Sequence, residues 1–396
     1  MKFTVNRKEM YNAVRKALKT ASPVNDIVIT EGVLIEADAK NGIVSAICTD
    51  FRTRIMCRVK AQNISEGGSI ILKPIVCNML KLLDGEIVEF YIDTVNKGAV
   101  NLKSGATVYT VPFDEATKFP AVPMPYPQNM VCIQGINQLI KRTAFAAEDN
   151  QVDNNQKILQ FVNLKIGGNT AQATATDGKF MAVSNLQLGS SGDLDMLIHE
   201  KAIKSLSEVV SADETIFVGT ADNYAVFLKE DMLFHTMMLT EKFVDVGTAI
   251  SKLSPEYKVC VDSCQFKALV LDALALLRAE DDRCINLSAD INLLKACCVN
   301  SIGQSNAKLE VLCKTPMLSE GFNYNSNILL ECLSHISGPI ELYFDKRGFM
   351  IIASQHSRYL VCPRSAAQIR VAEEKKPKKE TKAKKSSVKK TTAKAA

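Results

Sequence analysis

Five aspartates, Asp38, Asp50, Asp84, Asp177 and Asp245, could in principle serve acid–base chemistry or hold a metal. None sits at helical spacing from a second acid beside a nucleophile. The four histidines, His199, His235, His335 and His356, lie far apart and match no short metal motif, and the twelve cysteines contain no CxxC. Gly167-Gly168 reads as a tight turn, because no GxxxxGK follows it to cradle a phosphate. Leu186-Gln187-Leu188-Gly189-Ser190-Ser191-Gly192 reads as a surface loop rather than a phosphate nest. Thr176-Asp177-Gly178 reads as a turn in which Asp caps the backbone and Gly adopts the left-handed conformation. The residues therefore point away from catalysis, and no cofactor or metal is expected.

The elements that would position such residues repeat. The chain has 396 residues, 47% hydrophobic and 23% charged, which suits two to four packed domains. No apolar run is long enough to cross a bilayer, and Met1-Lys2-Phe3-Thr4-Val5 alternates like a strand rather than a signal peptide. The cysteines fall in apolar strings and read as buried thiols, so a cytoplasmic chain without membrane contact is expected. Amphipathic helices are predicted over 10–20, 136–147 and 264–277 from apolar residues at i, i+3 and i+4. Each is followed by a strand pair, the first turning at Asn41-Gly42. These pairs end at Asp50, Asp177 and Asn300, spaced 127 and 123 residues apart. Second helices are predicted over 74–83, 199–212 and 325–336, with Leu80, Leu206 and Leu333 spaced 126 and 127 apart. A period near 125 residues is the size of a domain. The sequence predicts three similar α+β domains, 1–125, 126–252 and 253–368, with a proline-rich first linker from Phe119 to Pro127.

Residues 369–396 form a Lys-rich tail. From Val371 onward there are ten Lys against three Glu, a net of +7; the chain's total is +5, so the first 370 residues carry −2. The tail lacks apolar anchors and is expected to be disordered, either as a solubilising end or as an arm that meets nucleic acid through phosphate charge.

Several segments resemble the bacterial DNA polymerase III β sliding clamp family: Met1-Lys2-Phe3-Thr4-Val5, Ala46-Ile47-Cys48-Thr49-Asp50-Phe51-Arg52-Thr53-Arg54-Ile55, Phe119-Pro120-Ala121-Val122-Pro123, Ala175-Thr176-Asp177-Gly178-Lys179-Phe180-Met181-Ala182-Val183 and Tyr359-Leu360-Val361-Cys362-Pro363. The resemblance covers about residues 1–365. It implies a non-catalytic processivity factor: a head-to-tail homodimer of six domains that closes a ring, with sheets outside and helices lining the DNA channel. The implied partners are a second copy, duplex DNA without sequence specificity, a clamp loader, and the replicative polymerase and other proteins that dock through short peptide motifs. Two alternatives stay open. One is a specialised or monomeric clamp relative of a mobile element; the other is a multidomain DNA-processing enzyme.

The polar faces of the predicted helices offer Arg15, Lys19, Lys81, Lys141, Arg142, Lys201 and Lys204 to phosphates. The resemblance implies a partner-peptide pocket at Leu159, Thr176, Gly178, Lys179, Met181, Val244, Thr248, Leu360, Val361, Cys362, Pro363 and Arg364. It also implies a dimer interface at Thr107, Val108, Tyr109, Leu276 and Leu277. This chain departs from the family pattern in the pocket, with Lys179 where His is usual, Val244 where Pro is, Thr248 where Arg is and Cys362 where Met is. Arg364 and Lys179 are expected to add positive charge at the rim.

Overall fold

The computed structural model describes residues 1–21, 31–93, 98–121, 126–127, 129–147, 157–278, 281–311 and 321–364. The Lys-rich tail and part of the Phe119-to-Pro127 linker lie outside them.

One element order recurs three times. The first run is β1 (Lys2–Asn6), α1 (Arg7–Ala17), β2 (Val33–Asp38), β3 (Ile43–Thr49), β4 (Thr53–Glu66), β5 (Gly68–Leu72), α2 (Ile75–Leu82), β6 (Ile87–Ile92), β7 (Ala99–Ser104), β8 (Thr107–Pro112) and the short β9 (Asp114–Glu115). The second is β10 (Val131–Gln134), α3 (Ile136–Lys141), β11 (Phe161–Thr176), β12 (Phe180–His199), α4 (Glu200–Val209), β13 (Thr215–Ala221), β14 (Tyr224–Lys229) and β15 (Met232–Met237). A connecting helix, α5 (Val246–Ser251), leads into the third: β16 (Tyr257–Asp262), α6 (Ser263–Ala273), β17 (Cys284–Asp290), β18 (Leu293–Val299), β19 (Gln304–Glu310), β20 (Phe322–Asn325), α7 (Ser326–Ser334), β21 (Pro339–Phe344), β22 (Met350–Ala353) and β23 (Ser357–Val361).

In each unit the two helices pack on one another, α1 on α2, α3 on α4 and α6 on α7. They also close one face of the strands. α1 shows why: Met10, Ala13, Val14 and Ala17 are buried on one stripe, whereas Arg15 and Lys19 stay exposed on the other. Asn6 caps this helix, its side chain accepting from the backbone N–H of Lys8 (2.9 Å) and Glu9 (3.2 Å). The helix therefore starts three residues before its predicted first apolar position. Asp262 caps α6 in the same way, through the N–H of Cys264 at 2.9 Å.

The sheets cross from one unit to the next. β15 pairs with β4, Thr236 opposite Thr53, and β23 pairs with β12, Val361 opposite Phe180. The strand order β11-β12-β23-β22-β21-β16 is one continuous sheet built from two units. β8 and β19 each pair on one side only among the described residues and end their sheets.

Two expectations are corrected. Gly167-Gly168 is not a tight turn but lies inside β11, beside a bulge in its pairing with β12. The segment 186–192 is not a loop but part of β12, with Gly192 packed so closely on Val131 that a Cβ would stand 2.2 Å from its Cγ2. No described helix is long and apolar enough to cross a membrane.

Candidate functional site

The turn between β11 and β12 is built from its own side chains. The Asp177 carboxylate accepts from the backbone N–H groups of Lys179 (2.8 Å) and Phe180 (2.7 Å). The Thr176 hydroxyl donates to the Phe180 carbonyl (2.6 Å) and accepts from the Gly178 N–H (3.1 Å). Gly178 sits at φ 84°, a region other residues enter only under strain. A Cβ there would also lie 3.8 Å from Leu159 Cδ1, so the turn rests against Leu159. The last strand closes over this turn, the Cys362 N–H donating to the Lys179 carbonyl at 3.1 Å.

Register then defines a floor. Thr176 lies opposite Met181, Met181 opposite Leu360, Leu360 opposite Ile351, Ile351 opposite Tyr343 and Tyr343 opposite Lys258. Cross-strand partners share a face, so these six side chains form one row across the six-stranded sheet. Met181, Leu360 and Ile351 give it an apolar centre. Tyr343 and Lys258 give it a polar end, where the Lys258 ammonium meets Glu341 at 2.6 Å and lies 5.4 Å from the Tyr343 ring centroid. A row with an apolar middle and polar ends suits a short peptide with aliphatic or aromatic anchors.

The structure thus brings Leu159, Thr176, Gly178, Lys179, Met181, Leu360 and Cys362 to one end of the sheet. Val361 is the first correction: it is fully buried in the core opposite Phe180, on the other face from Leu360, and supplies no wall. Arg364 is the second. Its guanidinium is held by Asp282 at 2.6 Å and its N–H donates to the Asn323 carbonyl at 2.7 Å, so it anchors the stretch that follows β23 rather than standing as a free rim charge. Lys179 is exposed and has no ion pair among the described residues. Val244 is exposed on the segment that leads into α5, and the Thr248 hydroxyl donates to Asp245 at 2.5 Å. Burial pushes the Cys362 thiol above its ordinary value, with the Asp177 charge acting in the same direction, so the sulfur is a neutral filler. Sequence reasoning missed Ile351, Tyr343 and Lys258; the alternation along β16, β21 and β22 carried that signal once the register was known.

Of the seven cations on the helix side, two are committed. Lys19 pairs with Glu208 at 2.5 Å and Lys204 with Glu200 at 2.5 Å. Arg15, Lys81, Lys141 and Lys201 are exposed and make no ion pair among the described residues; Arg142 donates to Gln138 at 3.5 Å. Arg15 and Lys81 come together beside Cys77, whose thiol is pushed up by burial while these two charges pull it down. Of the dimer candidates, Val108 and Leu276 are exposed, while Tyr109 and Leu277 lean on their own core.

Three tandem α+β units that share their sheets and set pairs of helices on one side define a clamp-type scaffold. Family models for the N-terminal domain and the central domain of the DNA polymerase III beta subunit match residues 1–123 and 131–245, together more than half of the chain. The chain belongs to the DNA polymerase III beta subunit family. It is similar to the beta sliding clamp of Staphylococcus epidermidis, 25% identical over 307 residues that span 74% of this chain and 79% of that one. It is similar to that of Staphylococcus aureus at 24% over 298 residues, 73% and 78% of the two chains. In fold it matches a putative DNA polymerase III beta subunit from Eubacterium rectale (TM-score 0.84, 17% identity, 93% and 100% of the two chains) and the beta subunit from Thermotoga maritima (0.83, 20%, 92% and 99%).

Proposed function

We propose that this chain is a sliding clamp: a non-catalytic processivity factor that encircles duplex DNA as a head-to-tail dimer and tethers a replicative DNA polymerase. The observation that carries this reading is the pair of equivalent junctions inside the chain together with the two complementary edges left over. The joining strands, each the second of a hairpin, begin at Thr107, Met232 and Ser357, 125 residues apart each time. The turns they meet are at Asp50, Asp177 and Asn300, all of which accept from backbone N–H groups two and three residues on. Two of the three combinations are made within the chain. The third needs β8 of one copy against β19 of another.

The same rule sets its register. Thr236 opposite Thr53 and Val361 opposite Phe180 translate to Val111 opposite Gly303, Tyr109 opposite Ser305 and Val108 opposite Asn306. The faces agree: Tyr109 and Ser305 are both half-buried, Val108 and Asn306 both exposed. Two copies then give a closed C2 ring without a free edge at either junction. Units of about 120 residues span roughly 35 Å, so six in a circle leave a hole of about 35 Å, wide enough for duplex DNA. Domain boundaries at 1–125, 126–252 and 253–368 follow from the same repeat.

Arg15, Lys81, Lys141 and Lys201 supply the phosphate contacts, with Lys19, Lys204 and Arg142 in support. A clamp loader opens the ring, and partners dock a peptide on the Leu159, Met181 and Leu360 floor, with Val244 and Thr248 beside it. The test is retention on nicked circular DNA at moderate salt, before and after linearisation. Retention on the circle that is lost from the ends is the expected result; equal retention on both would replace the ring with an ordinary DNA-binding surface. Leu159→Asp should abolish capture of the polymerase peptide and leave ring retention intact.

A further inference from the structure

The outer face of the first junction is the counterpart of the peptide floor at the second, and its chemistry differs. Thr49-Asp50-Phe51-Arg52-Thr53 makes the same turn as Thr176-Asp177-Gly178-Lys179-Phe180: Asp50 accepts from the N–H groups of Arg52 (3.0 Å) and Thr53 (2.6 Å), and the Thr49 hydroxyl donates to the Thr53 carbonyl (2.8 Å). The joining strand closes in the same way, the Met237 N–H donating to the Arg52 carbonyl at 2.9 Å as Cys362 does to Lys179. The floor row runs Thr49, Arg54, His235, Val226, Gly219, each opposite the next. Thus Arg54 and His235 stand where Met181 and Leu360 stand at the second junction. Arg52 stands for Lys179, and Met237 for Cys362.

Three observations show that folding alone does not call for this surface. Phe51 takes φ 70°, which costs a non-glycine residue about 1 kcal/mol, and it remains 43% exposed. Gly178 fills the equivalent position without strain. Met237, the strand-end neighbour, is 44% exposed. His235 is 99% buried on the same strand face as Met237, yet neither ring nitrogen has a hydrogen-bond partner; the half-buried Arg54 lies across from it and the Tyr224 ring stands 5.4 Å away.

We propose that this face is a second docking site, taking a partner segment that carries carboxylates beside an apolar side chain: Phe51 and Met237 hold the apolar group, and Arg52 meets the acids. The occupant follows from the exposed Arg52, which has no ion pair among the described residues, standing beside the exposed apolar pair Phe51 and Met237. The inference rests on the reading of the second junction as a peptide pocket.

The test uses the full chain with 13C-methyl methionine, in which Met237 reports on the first junction and Met181 on the second. The probes are an acetylated tetrapeptide of Leu, Phe and two Asp, and its counterpart with Asn for Asp. The acidic probe should shift the Met237 methyl saturably in wild-type protein and in Leu159→Asp, and bind about tenfold or more tighter there than the Asn probe. Phe51→Gly and Arg52→Glu should each remove the Met237 shift, and Phe51→Gly should do so without lowering the unfolding temperature, because it relieves the φ strain. A Met237 methyl that stays fixed, or that responds equally to both probes, overturns the proposal. Movement of Met181 with a fixed Met237 rejects this site and keeps the pocket. The reverse pattern keeps this site and rejects the pocket.

Discussion

On the helix side, the two junctions within the chain are closed by opposite chemistry at equivalent places. At the first, Lys19 follows α1 and meets Glu208 of α4 at 2.5 Å, while the Ser205 hydroxyl donates to the Lys19 carbonyl at 3.1 Å. At the second, Phe145 follows α3 and stacks on His335 after α7, centroids 4.7 Å apart and planes 18° from parallel. Glu208 and His335 each stand two residues after the repeated leucines Leu206 and Leu333; the matching residue after Leu80 is Leu82. Leu82 is 66% exposed, and Leu276, just after α6, is also exposed. The contrast teaches how much each junction has to do. The two inner seams are linked by the chain, which supplies a high effective concentration, so one exposed ion pair or one half-buried stack suffices. In the proposed dimer, a seam between copies must offset the entropy of association, and an apolar pair in that position would do so.

The sharpest way to break this comparison is to charge the apolar seam. Leu82→Asp or Leu276→Asp should weaken the dimer by a hundredfold or more, about 2.7 kcal/mol, and leave each chain folded, since both side chains are exposed in the single copy. Sedimentation at micromolar protein reads the result; an unchanged dimer would place the contact elsewhere. Leu276 is a better probe than Leu277, and Val108 better than Tyr109, because Leu277 and Tyr109 also pack on their own cores. Register has its own check: Val108→Cys with Asn306→Cys should oxidise to a covalent dimer, whereas Val108→Cys with Ser305→Cys, one residue out, should not.

The next largest effect separates the outer faces by pH. Burial holds the His235 imidazole down to about 4, and the Arg54 charge acts in the same direction. In the unfolded chain its pKa returns to about 6.5. Above that pH neither state is protonated and nothing is lost. As pH falls from 6.5 toward 4 the unfolded chain takes up the proton and the folded one does not, so about 2.5 kcal/mol of stability is lost by pH 4.5. His235→Leu, which copies Leu360 of the second junction, should remove that part of the slope in urea titrations at pH 7 and pH 4.5. The same slope in both proteins would assign the acid sensitivity to other groups.

What was legible in the sequence follows from locality. The threefold order, the Asn41-Gly42 turn with Gly42 at φ 66° and the Asp177 turn are set by residues a few positions apart, and periodicity exposes them. α1 and α6 start three residues and one residue before their predicted positions, because the caps Asn6 and Asp262 lie upstream of the first apolar residue. The strand character of 186–192 depends on partners in β11 and on Val131, which local composition does not reveal. Of the residues that the resemblance implied for the pocket, Leu159, Gly178 and Met181 lie together at the β11–β12 turn. The inward turn of Val361 could have been read from the alternation of Tyr359, Leu360 and Val361. The grip of Asp282 on Arg364 could not, since 82 residues separate them.

A smaller effect distinguishes the two inner seams. Phe145 packs on Phe180 at 5.4 Å and Tyr359 at 5.8 Å as well as on His335, so Phe145→Ala removes partly buried apolar area and an aromatic cluster. About 2 kcal/mol of destabilisation is expected in chemical unfolding, independent of salt. Phe145→Leu should recover more than half of it. A salt-dependent loss would mean that the stack acts through the Glu331–His335 pair, 3.1 Å apart, rather than through packing.

The smallest effect is the most informative about DNA. Lys19 and Glu208 are both about half exposed, so their coupling in a double-mutant cycle should be below about 1 kcal/mol and vanish in high salt. The pair matters more for what it withholds: a lysine that faces Glu208 is a poorer phosphate ligand than Arg15 or Lys141, which have no acidic partner among the described residues. Glu208→Gln should therefore strengthen retention on circular DNA and steepen its salt dependence by about one counterion, while Lys19→Gln changes the slope by less than Arg15→Gln or Lys141→Gln. The log–log slope of retention against salt separates these cases without requiring an absolute affinity. If Lys19→Gln flattened the slope as much as Lys141→Gln, the first seam would be open on DNA and its ion pair would belong to the free protein alone.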